Sequence, residues 1–270
     1  MVTSKQEDRY IKKLEEDIGY FPSIPDNLQN DKNFILKIIN YLEDHGSGLV
    51  FYLSDELKSD KEIVLKLMDY ESFPLSLISE KLQDDEDVVR KSIRSAPYTM
   101  RNASSRLKNN KEFMLEAVII NSSILNYGSE NIKDDEDIVF EAVTSDGYTL
   151  SYASERLKDN KRIALAAVSS KYASFNRISD RLKNDRELLI EMVNINGLVI
   201  SGFLEKFKND KEIALLAYKN NKSVSKYFTR DLKEELRDKD IIKYLESCLL
   251  KKKLECELVD SSVEYKKFKI

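Results

Sequence analysis

The chain has 270 residues, 41% apolar and 34% charged, with a formal net charge of −4. That is enough apolar material for an extended core, and the mild acidity argues against a surface built to coat nucleic acid. The longest apolar runs, such as Ile163 to Val168, fall far short of a membrane span, and the opening Met-Val-Thr-Ser-Lys-Gln-Glu-Asp has no apolar signal core, so a soluble cytoplasmic protein without membrane association is expected.

In chain order, residues 4–18 read as an N-terminal capping helix, with Ser4 available as its cap and Tyr10, Ile11, Leu14 and Ile18 on one side. Phe21 and Ile24 precede Leu28 at the spacing of a degenerate half-repeat, which makes residues 1–27 an end piece. From Leu57 onward an anchor of the form Leu-Lys-x-Asp/Asn recurs every 25 residues, at Leu57, Leu82, Leu107, Ile132, Leu157, Leu182, Phe207 and Leu232. Leu28 is an earlier copy, separated by an insertion assigned to the Asp44-His45-Gly46-Ser47-Gly48 stretch. A fixed period is the mark of stacked repeats.

Each repeat predicts two helices. After the anchor comes an amphipathic helix whose apolar positions are typified by Phe113, Met114, Ala117 and Val118. Its start carries cap signals two residues past the anchor (Ser59, Asp84, Asn109, Asn184) and again one residue later (Asp60, Asp85, Asn110, Asp185), and either register satisfies the pattern. A shorter second helix ends at the next anchor, with stripes such as Met100, Ala103, Leu107 and Leu150, Ala153, Leu157. Pro74, Pro97, Gly147 and Gly197 fall between the two. The fold class is therefore all-α: an α-solenoid, or superhelix, of about seven to eight 25-residue two-helix repeats over residues 28–231, closed by helical caps. Residues 232–258 form the C-terminal capping piece, with the final helix expected over 238–257. The alternating, basic tail at 259–270 is compatible with a strand, with packing on the last helix, or with loose chain. Cys248 and Cys256 sit about 12 Å apart on the same predicted helix, too far for a disulfide.

The segments 134–143 (Asp-Asp-Glu-Asp-Ile-Val-Phe-Glu-Ala-Val) and 147–161 (Gly-Tyr-Thr-Leu-Ser-Tyr-Ala-Ser-Glu-Arg-Leu-Lys-Asp-Asn-Lys) resemble the helical repeat family catalogued as domain of unknown function 4116. The resemblance covers residues 54–231. It implies an all-helical repeat family of microbial and large-virus genomes with no agreed catalytic activity, and it supplies no functional residue. The cytoplasm in question would be that of a host or infected cell.

Enzyme signals are poor. The chain has one histidine, His45, and no phosphate loop, Gly-x-Ser-x-Gly or Cys-x-x-Cys motif, so no catalytic residue, metal or cofactor is expected. The acidic tetrads at 84–87 and 134–137 open helices, where carboxylates cap backbone N–H groups. Two columns remain as candidate surfaces. One is aromatic and variable: Tyr52, Tyr127, Tyr152, Arg177 and Tyr227 share a register position, with Tyr98 and Tyr148 at the preceding turn. Tyr and Arg are enriched where protein interfaces concentrate binding energy, so this column is the candidate site for a protein partner, as an adaptor or an inhibitor. The other column is basic: Lys108, Lys133, Lys158, Lys183 and Lys208 follow the anchors, and Arg106, Arg156 and Arg181 precede them. Such a ladder can track a phosphate backbone, which makes nucleic-acid binding the alternative, but cations at helix C-termini are also favoured by the helix dipole. Oligomeric state is not encoded in these patterns.

Overall fold

The computed structural model describes residues 4–42, 48–70, 72–237 and 239–267, with the backbone alone at residue 42 and at 256–267. His45 and most of the insertion before Leu57 fall outside the described residues, as do residues 268–270. The chain divides into two compact units, residues 1–138 and 139–270. All elements are helical, and the described residues contain no strand. Within each unit the repeats stack side by side in the manner of an α-solenoid.

The repeat has three pieces where the sequence predicts two. In the first unit a 3₁₀ turn, Pro97–Asn102, leads to a short helix, Ser105–Lys108, and then a long helix, Lys111–Ile120. In the second unit the same trio recurs as Gly147–Tyr152, Glu155–Lys158 and Lys161–Ser170, and again as Tyr172–Arg177, Asp180–Lys183 and Arg186–Ile195. The expected second helix is thus split before each short helix, at Leu204 as well as at the serines that hold this position in most repeats, and where a serine is present it can cap the new helix. Ser104, like Ser129 and Ser179, accepts a hydrogen bond from the backbone N–H of the anchor three residues on. A hydroxyl at that position satisfies an N–H of the new helix's first turn that has no partner within the helix. The residue before it is extended, as at Ala103 (φ −63°, ψ 156°), which ends the 3₁₀ turn. The apolar stripe survives the break: Met100, Ala103 and Leu107 are all buried.

The long helices start at the later of the two candidate caps. Asn110 Oδ1 accepts from the Phe113 N–H at 2.9 Å, and Asp85, Asp135 and Asp185 act in the same way. Every anchor is buried, as are the inward positions of the long helices, including Ile138, Val139, Ala142 and Val143, with Tyr218 half-buried at the corresponding position of Lys211–Asn220.

The ends close each unit. The N-terminal helix is Ser4–Glu16, with Ile11 and Leu14 buried; Asp17 then caps a 3₁₀ turn at Ile18–Ser23. The C-terminal helix runs from Ile241 to Lys267, later in starting and longer than the expected span. Its backbone continues through the alternating stretch, so residues 259–267 are neither strand nor loose, and no break marks position 258. Leu245 is buried where this helix packs on Lys211–Asn220.

Candidate functional site

The two candidate columns lie on different parts of the repeat, and the joints between repeats explain why. Within each unit a repeat docks on the one before it through its serine. The Ser104 N–H donates to the Gln83 carbonyl at 3.0 Å, and its hydroxyl donates to the Asp84 carboxylate. Arg106 closes the joint, with Nε 2.9 Å from Asp84 Oδ1 and Nη2 2.7 Å from the Asp84 carbonyl. In the second unit Ser179 and Arg181 clasp Asp159 in the same way, Nε lying 2.8 Å from Oδ2. The Ser104 hydroxyl, working against burial and helped by Arg106, holds Asp84 below the usual carboxylate range; the Ser179 hydroxyl and Arg181 do so for Asp159. Arg156 is engaged as well. The acid two residues past the anchor, one of the two candidate caps, is therefore the acceptor of the next repeat.

The lysines of the basic column are also spoken for. Lys133, Lys158, Lys183 and Lys208 each reach back one turn to Glu130, Glu155, Asp180 and Glu205, at 2.8–3.2 Å, and their side chains are only 18–24% exposed. Lys108 donates to the Arg101 carbonyl at 2.6 Å, and burial pushes its ammonium below the ordinary lysine value. A phosphate approaching this column meets cations already matched by carboxylates or carbonyls and largely covered, which weakens its pull.

A second set of ion pairs ties together the starts of the long helices. Lys32 bridges to Asp60 and Glu62, Lys61 to Asp85 and Asp87, and Lys111 to Asp135 and Asp137; in the second unit Lys161 meets Asp185, and Arg186 meets Asp210 and Glu212. The exceptions follow a rule. Where the first helical residue is Glu, at Glu86 and Glu136, the cap of the following repeat is the neutral Asn110 or Asn160. Burial pushes the capping carboxylates Asp60, Asp85 and Asp135 up, but the lysine partners and the backbone N–H groups outweigh it and hold them below the usual range.

The aromatic column sits on the 3₁₀ turns, except for Tyr52, which ends the short α-helix Leu49–Tyr52. Tyr98 and Tyr148 are 52% and 42% exposed. Tyr127, Tyr152, Arg177 and Tyr227 are half-buried, Tyr52 is exposed, and the Arg177 guanidinium lies over the Tyr148 ring at 4.5 Å. Residues from adjacent registers therefore share one face in the second unit, and Tyr172, 38% exposed, joins them. This face has a property that no single motif reveals. The seven eight-residue stretches 72–79, 97–104, 122–129, 147–154, 172–179, 197–204 and 222–229 contain no Asp or Glu, although 48 of the 270 residues are acidic. Lys171 flanks it, and Arg177, Lys222 and Lys226 lie on it; none of the four makes an ion pair among the described residues. Counting acids by register position, instead of searching for motifs, would have found it.

Other chemistry is sparse. In the second unit a groove of ≈ 580 Å³ is lined by Arg186, Lys211, Cys248 and Lys252 among others, with Lys211 Nζ 3.7 Å from the free Cys248 thiol. No group of three or more His, Cys, Asp or Glu among the described residues is placed to hold a metal ion. Among the described residues, no helix is long and apolar enough to cross a membrane.

These features define a class: an all-helical tandem-repeat protein whose register-locked charges staple neighbouring repeats. Its family is equally plain. The sequence model of the family described as Domain of unknown function (DUF4116) matches five overlapping segments, 85–133, 110–158, 135–183, 160–203 and 185–233, and the chain belongs to that family. Each match opens at a long-helix cap, and four of the five end one residue past an anchor. The family unit is therefore about two registers long, the length needed to include a joint. No curated protein and no solved structure matches the chain.

Proposed function

We propose that the chain is a non-catalytic repeat scaffold that binds a protein partner on the face formed by its 3₁₀ turns. The observation that carries this reading is the contrast in charge. The turn stretches contain no Asp or Glu, with Asp146 at the edge of one of them, and they hold unpaired cations and half-exposed tyrosines. Tyr, Ser, Asn, Gly and Arg together form the composition of adaptable protein-binding surfaces, with rigid aromatic anchors set among small polar residues. Adaptor and inhibitor are both forms of this function, in a reducing cytoplasmic setting of a host or infected cell.

The test is affinity capture from the source cell with the intact chain and with a variant carrying Tyr148→Ala, Tyr172→Ala and Arg177→Ala. A specific protein retained by the first and lost by the second supports the reading; a partner retained equally by both moves the site elsewhere. The nucleic-acid reading makes the opposite forecast, namely binding that depends on Lys158, Lys183 and Lys208 and weakens steeply with salt.

A further inference from the structure

We propose that the turn face of the 139–270 unit is a receptor for an acidic, tyrosine-tolerant peptide segment of its partner. The inference rests on the scaffold reading above and adds the chemistry of the occupant. In this unit the stretches 147–154, 172–179, 197–204 and 222–229 lie side by side in sequence order. They present Tyr148, Tyr172 and Leu204 as exposed or half-exposed apolar ground and Arg177, Lys222 and Lys226 as cations, with Lys171 at the edge. Carboxylates accept hydrogen bonds and donate none, so they suit a surface of ammonium, guanidinium, phenol and amide donors such as that of Asn176. The four stretches contain no acid, and the carboxylate at their edge, Asp146, caps the first turn beside Tyr148, away in sequence from Lys222 and Lys226; bringing an incoming carboxylate near the unpaired cations breaks no existing ion pair. The helix starts and short helices of the same unit lack this property: most of their cations are matched by carboxylates, Lys206 and Lys233 reach Asn184 and the Lys226 carbonyl instead, and exposed Glu155, Asp180 and Glu205 stand beside them. The unpaired cations are few for following a phosphate chain, whereas a short acidic segment needs only two or three of them.

The probe is a fluorescein-labelled random copolymer of Glu and Tyr, titrated with the full chain and read by fluorescence anisotropy; a Lys/Tyr copolymer and an oligo-dT strand serve as controls. The acidic copolymer should bind and the Lys/Tyr copolymer should not. A triple variant, Arg177→Ala, Lys222→Ala, Lys226→Ala, should weaken binding by on the order of tenfold, with an unchanged circular dichroism spectrum. The joint variant Lys158→Gln, Lys183→Gln, Lys208→Gln should leave it within about twofold. The proposal is overturned if the acidic copolymer does not bind or binds the triple variant equally well. It is also overturned if oligo-dT binds and the joint variant abolishes that binding, or if sedimentation shows self-association that the triple variant removes. Failure of the copolymer together with a captured partner that still depends on Tyr148 and Tyr172 would reject the acidic occupant while leaving the scaffold reading intact.

Discussion

Lys183 and Arg177 are six residues apart in the same repeat, yet they carry their charge to different ends. Lys183 recurs at the same register in repeat after repeat, reaches Asp180 at 3.1 Å and is largely covered. Arg177 stands where other repeats have Tyr, Asn or Gly; it lies over Tyr148 and meets no carboxylate among the described residues. The comparison separates two kinds of cation. Charges locked to the 25-residue period are matched within a repeat or across a joint, as Lys183 is by Asp180 and Arg181 by Asp159, and Arg177, which ignores the period, is left without a carboxylate among the described residues. Core and surface can be separated in the same way, and the experiments that break the separation differ in size.

The largest effect is expected in the periodic core. Leu157 is fully buried, so Leu157→Ala should cost about 2–5 kcal/mol, read as a shift of the urea midpoint. A smaller loss falls where a turn packs closely against backbone. A Cβ on Gly147 would lie 2.1 Å from the carbonyl oxygen of Ala167, on the long helix of the same trio, and 2.5 Å from Ser174 Oγ in the turn of the next. Gly147→Ala should therefore cost about 1–3 kcal/mol, the range of overpacked cores; an unchanged midpoint would show that this contact gives way easily. Ser179→Ala removes the cap of the short helix Asp180–Lys183 and should cost about 1 kcal/mol.

Much of this was legible in the sequence. The period, the anchors, the long-helix stripe and the all-helical class follow from apolar residues, because burial is what a repeating pattern encodes. Where the reading departed from the structure, features outside the apolar stripe were responsible. The break before the short helix falls inside a good helical stripe and occurs at Leu204 as well as at Ser104 and Ser179, whose hydroxyls accept from the anchor N–H and reach Asp84 or Asp159. The choice between two adjacent caps was open for the same reason: both positions hold Asp or Asn, and the earlier one is taken by the next repeat, a long-range partner that local spacing does not contain. The C-terminal stretch alternates like a strand, yet through residue 267 its backbone continues the helix begun at Ile241. The candidate surface was half legible. The tyrosines were found because they are large, while the missing acids, which define the face, leave no motif.

Acid should act unevenly on the long helices of the 1–138 unit. Asp60 and Asp85 are held below the usual carboxylate range: burial raises them, and Lys32 or Lys61 together with backbone N–H groups lowers them further. A depressed folded value means that the unfolded chain binds more protons. Their contribution is complete above the unfolded value of about 3.9 and is lost as pH falls through the folded values below it. Asn110 does not titrate. Hydrogen exchange should therefore show Lys61–Leu67 and Glu86–Ser95 losing protection a few-fold more than Lys111–Ile120 on going from pH 5 to pH 3, a modest difference because the carboxylates are solvent-screened. Equal losses would mean that the caps titrate as they do in the unfolded chain.

The smallest effect tests the register rule itself. Lys111 pairs with Asp135 and Asp137, whereas the preceding repeat places Glu86 opposite the neutral cap Asn110. Lys111→Glu sets like charges at a joint and should lower the thermal midpoint slightly. Asp135→Asn alone keeps a good cap, since Asn and Asp are near equals there, but it takes one partner from Lys111. Combined, the two changes recreate the Glu86–Asn110 arrangement one repeat further along. The double variant should therefore be more stable than Lys111→Glu alone, despite carrying one more change, and the cycle should give a favourable coupling between the sites. Additive losses would mean that the alternation of Lys with Asp and of Glu with Asn is not a pairing rule, and that the cations at the helix starts are as free to serve a partner as those on the turn face.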